Sequence, residues 1–283
     1  MTDSEPAALA ASVVCVLAAS DLDPSLIARA VRVARAFEVR LVLAVCASPA
    51  QASGPEATQW CRFVLREATA ALGDGAESAR VVLVIGAVDA AVERLAPLLS
   101  ASLVVVSAAS VDGARARALC VETRRAVLVA RPSRGETVLV ATDLARPTLP
   151  VLRGGAAFAQ RLGAPMIAVH NVESPLPASS FEWAHAGIET IEASCRARLE
   201  RAVVAAAPRA RSVTCTMFDT AQALAEIVRD EGADVLVVGA RRHWFEWWRG
   251  ATTSARVVDE ASCSVLLVPL APLEAAKGAC SWS

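Results

Sequence analysis

The chain has 283 residues, enough for one large domain or two of ordinary size. Hydrophobic residues make up 55% and aromatics only 4%, so a core here must be built from Ala, Val and Leu. The net charge of -1 lacks the basic surplus that general electrostatic binding to nucleic acid requires, and no nucleic-acid partner is expected.

Met1–Pro6 carries Asp3 and Glu5 and no Lys or Arg, unlike the start of a secretory signal. The apolar stretch Ala7–Ala19 is shorter than the ~20-residue helix that crosses a bilayer. Its Val-Val-Cys-Val-Leu centre reads as a buried strand. No other segment reaches spanning length, so a cytoplasmic protein without a membrane span is expected. The first half then shows strand-like runs at Val13–Leu17, Leu41–Cys46, Val81–Ile85, Leu103–Val106 and Val127–Val129. Between the first two, Ser25–Phe37 places Leu26, Ala30, Val33 and Phe37 on one helical face. Continuous rather than alternating apolar runs predict strands buried on both faces, and intervening helices predict right-handed parallel crossovers.

The order restarts at Val138. Val138–Ala141, Met166–Val169, Val213–Met217, Val235–Val238 and Val265–Val268 are predicted strands. Leu149–Leu162, Ile188–Ala206 and Ala221–Glu231 are predicted helices. The repeat is visible residue by residue. Ser20-Asp21 answers Thr142-Asp143, Ser102–Ser107 answers Asp234–Gly239, and Ala126-Val-Leu-Val answers Ser264-Val-Leu-Leu. The expected domains are therefore residues 8–132 and 136–270, with a tail at 271–283. The join at Arg131-Pro-Ser-Arg-Gly-Glu136 has the composition of a short linker.

Eight cysteines (Cys15, Cys46, Cys61, Cys120, Cys195, Cys215, Cys263, Cys280) include no C-x-x-C pair, and most sit in apolar runs. They are read as reduced thiols acting as small hydrophobes. His170, His185 and His243 are not spaced as a metal pair, and no metal is expected. Neither a G-x-S-x-G elbow nor a Walker lysine motif occurs, so no catalytic residue is assigned. Glu189, Glu192, Arg196, Arg198, Glu200 and Arg201 read as the charged face of a solvated helix.

Three segments of the second half carry a family resemblance. They are Val138-Leu-Val-Ala-Thr-Asp143, Ala233-Asp-Val-Leu-Val-Val-Gly239, and the run Ala251–Val268. With them the chain resembles a tandem two-domain universal stress protein. The resemblance implies two doubly wound α/β domains, each with a five-stranded parallel sheet of the adenine nucleotide alpha hydrolase-like kind. It also implies a non-enzymatic role in stress response or signalling, with no required cofactor. In nucleotide-binding members the loop after strand four reads G-x2-G-x9-G-[ST]. Backbone amides there and at the next helix start hold phosphate, and adenosine lies near the ends of the first two strands.

Carried onto this chain, the candidate nucleotide-binding residues are Thr142, Asp143, Val169, Gly239, Arg242, Gly250 and Thr252. Arg242 stands where the second glycine is expected. The third glycine position falls on Gly250 or, shifted by one, on Ala251 followed by Thr252. His243-Trp-Phe-Glu-Trp-Trp-Arg249 fills the loop with bulk, so a wide backbone nest is not expected. Arg241, Arg242, Arg249 and Thr252 remain as side-chain phosphate contacts. In the first half Ser107 replaces the glycine, and Gly113 reads as a turn residue.

ATP is thus a possible ligand of the second domain, and an ATP-binding sensor or slow ATPase is the alternative function. Trp244–Trp248 has two readings, a cap on the sheet end or a contact surface for a protein partner. Asp21 and Asp143 either cap the next helix or bind ligand, with capping favoured. Pairing of Val127–Val129 with Val265–Val268 would make the chain a monomer with an internal pseudo-dimer. A homodimer is the other possibility.

Overall fold

A computed structural model of the protein describes residues 12–53, 56–132, 135–144, 148–173, 182–241 and 252–270. The chain forms two compact units, Met1–Arg131 and Pro132–Ser283.

The first unit runs β1 (Ser12–Ala18), α1 (Pro24–Ala36), β2 (Arg40–Ala47), a short α2 (Pro49–Ser53), α3 (Ala57–Leu72), β3 (Ala79–Ile85), α4 (Val88–Leu98), β4 (Ala101–Ser107), α5 (Gly113–Thr123) and β5 (Ala126–Ala130). Its strands are all parallel, in the order β3-β2-β1-β4-β5. Val14 pairs with Val42 on one side and Val104 on the other, so β1 is central. Val13, Val14, Cys15, Val16 and Leu17 are fully buried, as an unbroken apolar run between two helix layers requires. Leu26, Ala30, Val33 and Phe37 are all buried, which fixes the inward face of α1. The edge strand departs from the expectation of burial on both faces. Most of β3 is only half-buried and Ile85 is 58% exposed, because one side of the strand has no neighbour in the unit.

The second unit repeats the plan with β6 (Thr137–Ala141), α6 (Thr148–Leu162), β7 (Met166–Glu173), α7 (Glu182–Ala206), β8 (Arg211–Met217), α8 (Thr220–Asp230), β9 (Ala233–Ala240), α9 (Thr253–Glu260) and β10 (Ser264–Pro269). The order is β8-β7-β6-β9-β10, again all parallel. Helix α7 starts six residues before the predicted Ile188. Helix α6 lies unusually close to the sheet at Gly155, where a Cβ would collide with the side chain of Val140 on β6. Four of the cysteines, Cys15, Cys46, Cys120 and Cys263, are buried, while Cys61, Cys195 and Cys215 are half-buried, and all seven are free thiols. No helix among the described residues is long and apolar enough to cross a membrane.

Candidate functional site

In a parallel sheet of this order the chain reverses direction across the sheet between the first and fourth strands. The crevice beyond their carboxyl ends is where such folds take ligands. In the second unit that place lies at the ends of β6 and β9.

Thr142 follows β6 and is buried. Its N–H donates to the carbonyl of Val169 on β7 at 2.9 Å. Its hydroxyl accepts the Leu144 N–H at 3.1 Å. Its carbonyl lies 2.8 Å from Nδ1 of buried His170. A carbonyl only accepts, so Nδ1 is the protonated nitrogen. Leu144 has φ 55°, a left-handed conformation that costs a residue with a Cβ about 1–2 kcal/mol. The Thr142 hydroxyl and Arg198 of α7, whose Nη2 donates to the Leu144 carbonyl at 2.9 Å, hold that turn in place. The charged face of α7 is therefore not only solvated, as its sequence suggests. Arg196 Nε reaches Thr214 Oγ1 of β8 at 3.4 Å, and Glu192 accepts from Thr216 Oγ1 at 3.3 Å.

Asp143 projects from the same turn. Its Oδ2 is 3.3 Å from Nη2 of Arg241, the residue after β9, so an ion pair joins the ends of the two switch-point strands. Gly239 lies within β9. A Cβ there would sit 2.7 Å from Leu270 Cδ1 and 3.1 Å from Val151 Cγ2 of α6. Close packing alone accounts for a glycine at this position. Thr252 is the N-cap of α9, its Oγ1 accepting the Ala255 N–H at 3.4 Å and lying 3.3 Å from Ser254 Oγ. Arg242, Gly250 and Trp244–Trp248 lie outside the described residues. The structure thus brings Thr142 and Val169 together, sets Asp143 against the end of the strand that carries Gly239, and begins α9 at Thr252.

Neighbouring polar groups are tied just as closely. Asp219 caps α8, accepting the N–H groups of Ala221 at 2.9 Å and Gln222 at 3.3 Å. It also accepts Nη2 of Arg256 on α9 at 2.7 Å. That hydrogen bond, with the cap amides, holds the Asp219 carboxyl below its ordinary range. Buried Asn171 spans β7, β8 and α8. Its amide nitrogen donates to the Met217 carbonyl at 3.2 Å and to Thr220 Oγ1 at 2.9 Å, and its oxygen accepts the Met217 N–H at 3.0 Å. Sequence reasoning missed both residues. The Asp-Thr step before the Ala221 helix was the available signal for Asp219. A single Asn inside an apolar strand gave none.

The corresponding crevice of the first unit is a cavity of about 570 Å³ whose polar lining includes Ser20, Asp21, Asp89, Ser110, Asp112 and Arg115. Gly113 is not a turn residue but the first residue of α5, with Asp112 as its N-cap accepting the Arg115 N–H at 2.7 Å. The Arg115 guanidinium donates to Asp89 Oδ2 at 3.1 Å and to Glu93. Asp21 does not cap α1. That role belongs to Asp23, beside Pro24 at N1, while Asp21 accepts from Ser110 Oγ at 3.0 Å. A carboxylate of the chain therefore occupies the helix N-terminus where a phosphate would bind, and the one lining cation is paired with carboxylates.

Burial pushes the Cys46 and Cys215 thiols up to about 11 and those of Cys15 and Cys120 higher still, so none of these four is an activated nucleophile. Among the described residues no group of three His, Cys, Asp or Glu side chains is placed to hold a metal ion.

Architecture and crevice define a doubly wound α/β protein with a five-stranded parallel sheet in each unit. Residues 135–269 match the model of the universal stress protein family. Three solved structures align over nearly the whole chain. A protein of unknown function from Pseudomonas aeruginosa PAO1 is 17% identical, with 92% of each chain covered and a TM-score of 0.63. A candidate universal stress protein from Pseudomonas aeruginosa UCBPP-PA14 is 17% identical over 92% of this chain and 93% of that one, with a TM-score of 0.64. A universal stress protein from Archaeoglobus fulgidus DSM 4304 is 12% identical over 90% and 96%, with a TM-score of 0.61. At these identities the structural likeness speaks to fold. No curated protein matches in sequence. Residues 135–269 are thus similar to the universal stress protein family, and the chain as a whole has the tandem two-half arrangement of the three solved structures.

Proposed function

We propose that the protein is a non-enzymatic stress-response or signalling protein of the universal stress protein type, and that its second half keeps the frame of a nucleotide site without a working phosphate cradle. One observation carries this reading: the described polar groups at the crevice already have partners within the chain. Thr142 bonds Leu144, Val169 and His170, and Asp143 holds Arg241. A nucleotide entering there has to break these contacts before it makes its own, which subtracts from its affinity. Calorimetric titration of the pure protein with ATP and Mg²⁺ is expected to give no saturable heat at millimolar nucleotide. A stoichiometric, saturable isotherm would overturn the proposal. A strain lacking the protein is expected to survive starvation, hypoxia or oxidant less well than its parent.

The Asp143–Arg241 pair also motivates a second reading, an ATP-binding sensor or slow ATPase. Asp143 is 60% exposed at its side chain and Arg241 22%, so a phosphate could replace the carboxylate on the guanidinium. On that reading the wild-type protein binds ATP and Asp143→Ala binds it more tightly. On the first reading neither gives a saturable signal.

A further inference from the structure

The two units differ in how helices cover their outer edge strands. In the second unit α8 lies over β7, β8 and β9, and Thr214 and Thr216 of β8 bond to α7. In the first unit α4 lies over β1, β4 and β2. Beside β3 this leaves a groove of about 570 Å³. Its apolar lining includes Val82, Val84 and Ile85 of the strand and Leu95 and Leu98 of the helix. Ile85 is 58% exposed and Leu98 65%, and together with the groove lining they form a contiguous apolar patch rather than isolated surface residues. β3 ends the sheet of its unit, so its outer backbone groups have no strand partner among the described residues. Its Val-rich sequence contains no proline, and its only charge is Arg80.

The charged lining is entirely cationic: Arg80 and Arg94, with no carboxylate. Both arginines are exposed, and neither forms an ion pair among the described residues. Arg80 also borders the adjoining cavity at the amino ends of β1–β3, where Glu38 and Glu77 appear, so the one-signed stretch runs from Arg80 along the β3–α4 groove to Arg94. A second copy of this chain pairing β3 to β3 would bring four arginines together with no carboxylate in the groove to offset them, which disfavours that occupant.

We propose that the β3–α4 groove of the first unit is a docking site for an extended segment of a partner protein with an apolar, strand-forming centre flanked by acidic residues. The segment adds to the open edge of β3 by main-chain hydrogen bonds. Its apolar side chains cover Val82, Leu95 and Leu98, and its carboxylates meet Arg80 and Arg94. The test uses two fluorescein-labelled peptides with the same valine–isoleucine centre, one flanked by glutamates and one by lysines, titrated with the full chain and followed by anisotropy. The glutamate peptide is expected to bind saturably and to weaken as salt rises. The lysine peptide is expected to bind on the order of ten-fold less tightly or worse. Both the Arg80→Glu, Arg94→Glu double variant and Leu98→Asp are expected to lose on the order of ten-fold in affinity. All three side chains are exposed, so unchanged melting temperatures will show that the variants fold. Equal binding of the two peptides, binding indifferent to the substitutions, or no binding up to the solubility limit overturns the proposal. So does a wild-type dimer that Leu98→Asp splits into monomers, because the groove is then covered by a second copy.

Discussion

Gly239 separates two explanations of one residue. If it is present so that a phosphate can approach the backbone, adding a methyl group should leave stability alone. If it is present because Leu270 and Val151 already fill the space, Gly239→Ala must disturb the packing. The Cβ would meet Leu270 Cδ1 at 2.7 Å and Val151 Cγ2 at 3.1 Å, so at least one neighbour has to move by several tenths of an ångström. Overpacking of this kind costs about 1–3 kcal/mol. Alanine regains up to about 1 kcal/mol through the lower entropy of the unfolded chain, since Gly239 lies in ordinary strand backbone. The net expectation is a loss of about 1–2 kcal/mol.

Leu270 offers an internal control. It is buried, and Leu270→Ala alone should be destabilising by about 2–4 kcal/mol. Combined with Gly239→Ala it should cost less than the sum, by about 1 kcal/mol, because the shortened side chain relieves the clash and the added methyl fills part of the space left. Urea unfolding followed by circular dichroism gives all four corners of the cycle. A neutral Gly239→Ala, or strict additivity with Leu270→Ala, refutes the packing account of this glycine.

Asp219 gives a pH signature. Its carboxyl is held low in the folded protein, chiefly by the Arg256 hydrogen bond, so it contributes stability that is complete above its unfolded pKa near ~4 and lost as pH falls through the lower folded value. Asp219→Asn, which keeps a capping side chain, should flatten the acid limb of a melting-temperature profile while changing little at neutral pH beyond the lost Arg256 contact. Asp219→Ala should cost about 1 kcal/mol at neutral pH through the lost cap. His170→Leu should cost about 1–3 kcal/mol, because it removes the donor facing the buried Thr142 carbonyl. It is checked by the same urea titration. Under native conditions iodoacetamide should spare Cys15, Cys46, Cys120 and Cys263 and label them only after unfolding, as mass spectrometry of digests will show.

Much of the architecture was legible because the central strands are buried on both faces. Val13–Leu17 and Val235–Val238 had to be unbroken apolar runs, and the helices between them had to return on the faces of the sheet. The edge strand was misleading for the same reason: Val81–Ile85 has the composition of a central strand, and only the strand order reveals its open side. Helix caps were harder. Asp21 and Asp23 both precede α1, and the deciding feature is Pro24, which suits the first helical position and makes Asp23 the cap. In the second unit, Thr142 and Asp143 were singled out through the family resemblance, which places them directly after a strand. The carboxylates around the first unit's crevice were not, because Asp89 and Asp112 come from separate connections and meet Arg115 only through the fold. Gly239 was located from a motif, but its packing neighbours Leu270 and Val151 lie far from it in sequence or on another element.

The central claim is that the second half keeps the frame of a nucleotide site but not its function. Its most direct test is the nucleotide content of the purified protein. Acid extraction followed by ion-pair chromatography should release no adenine nucleotide in stoichiometric amount. Recovery of about one adenine nucleotide per chain would contradict the account, since a ligand held through purification requires slow release and tight binding.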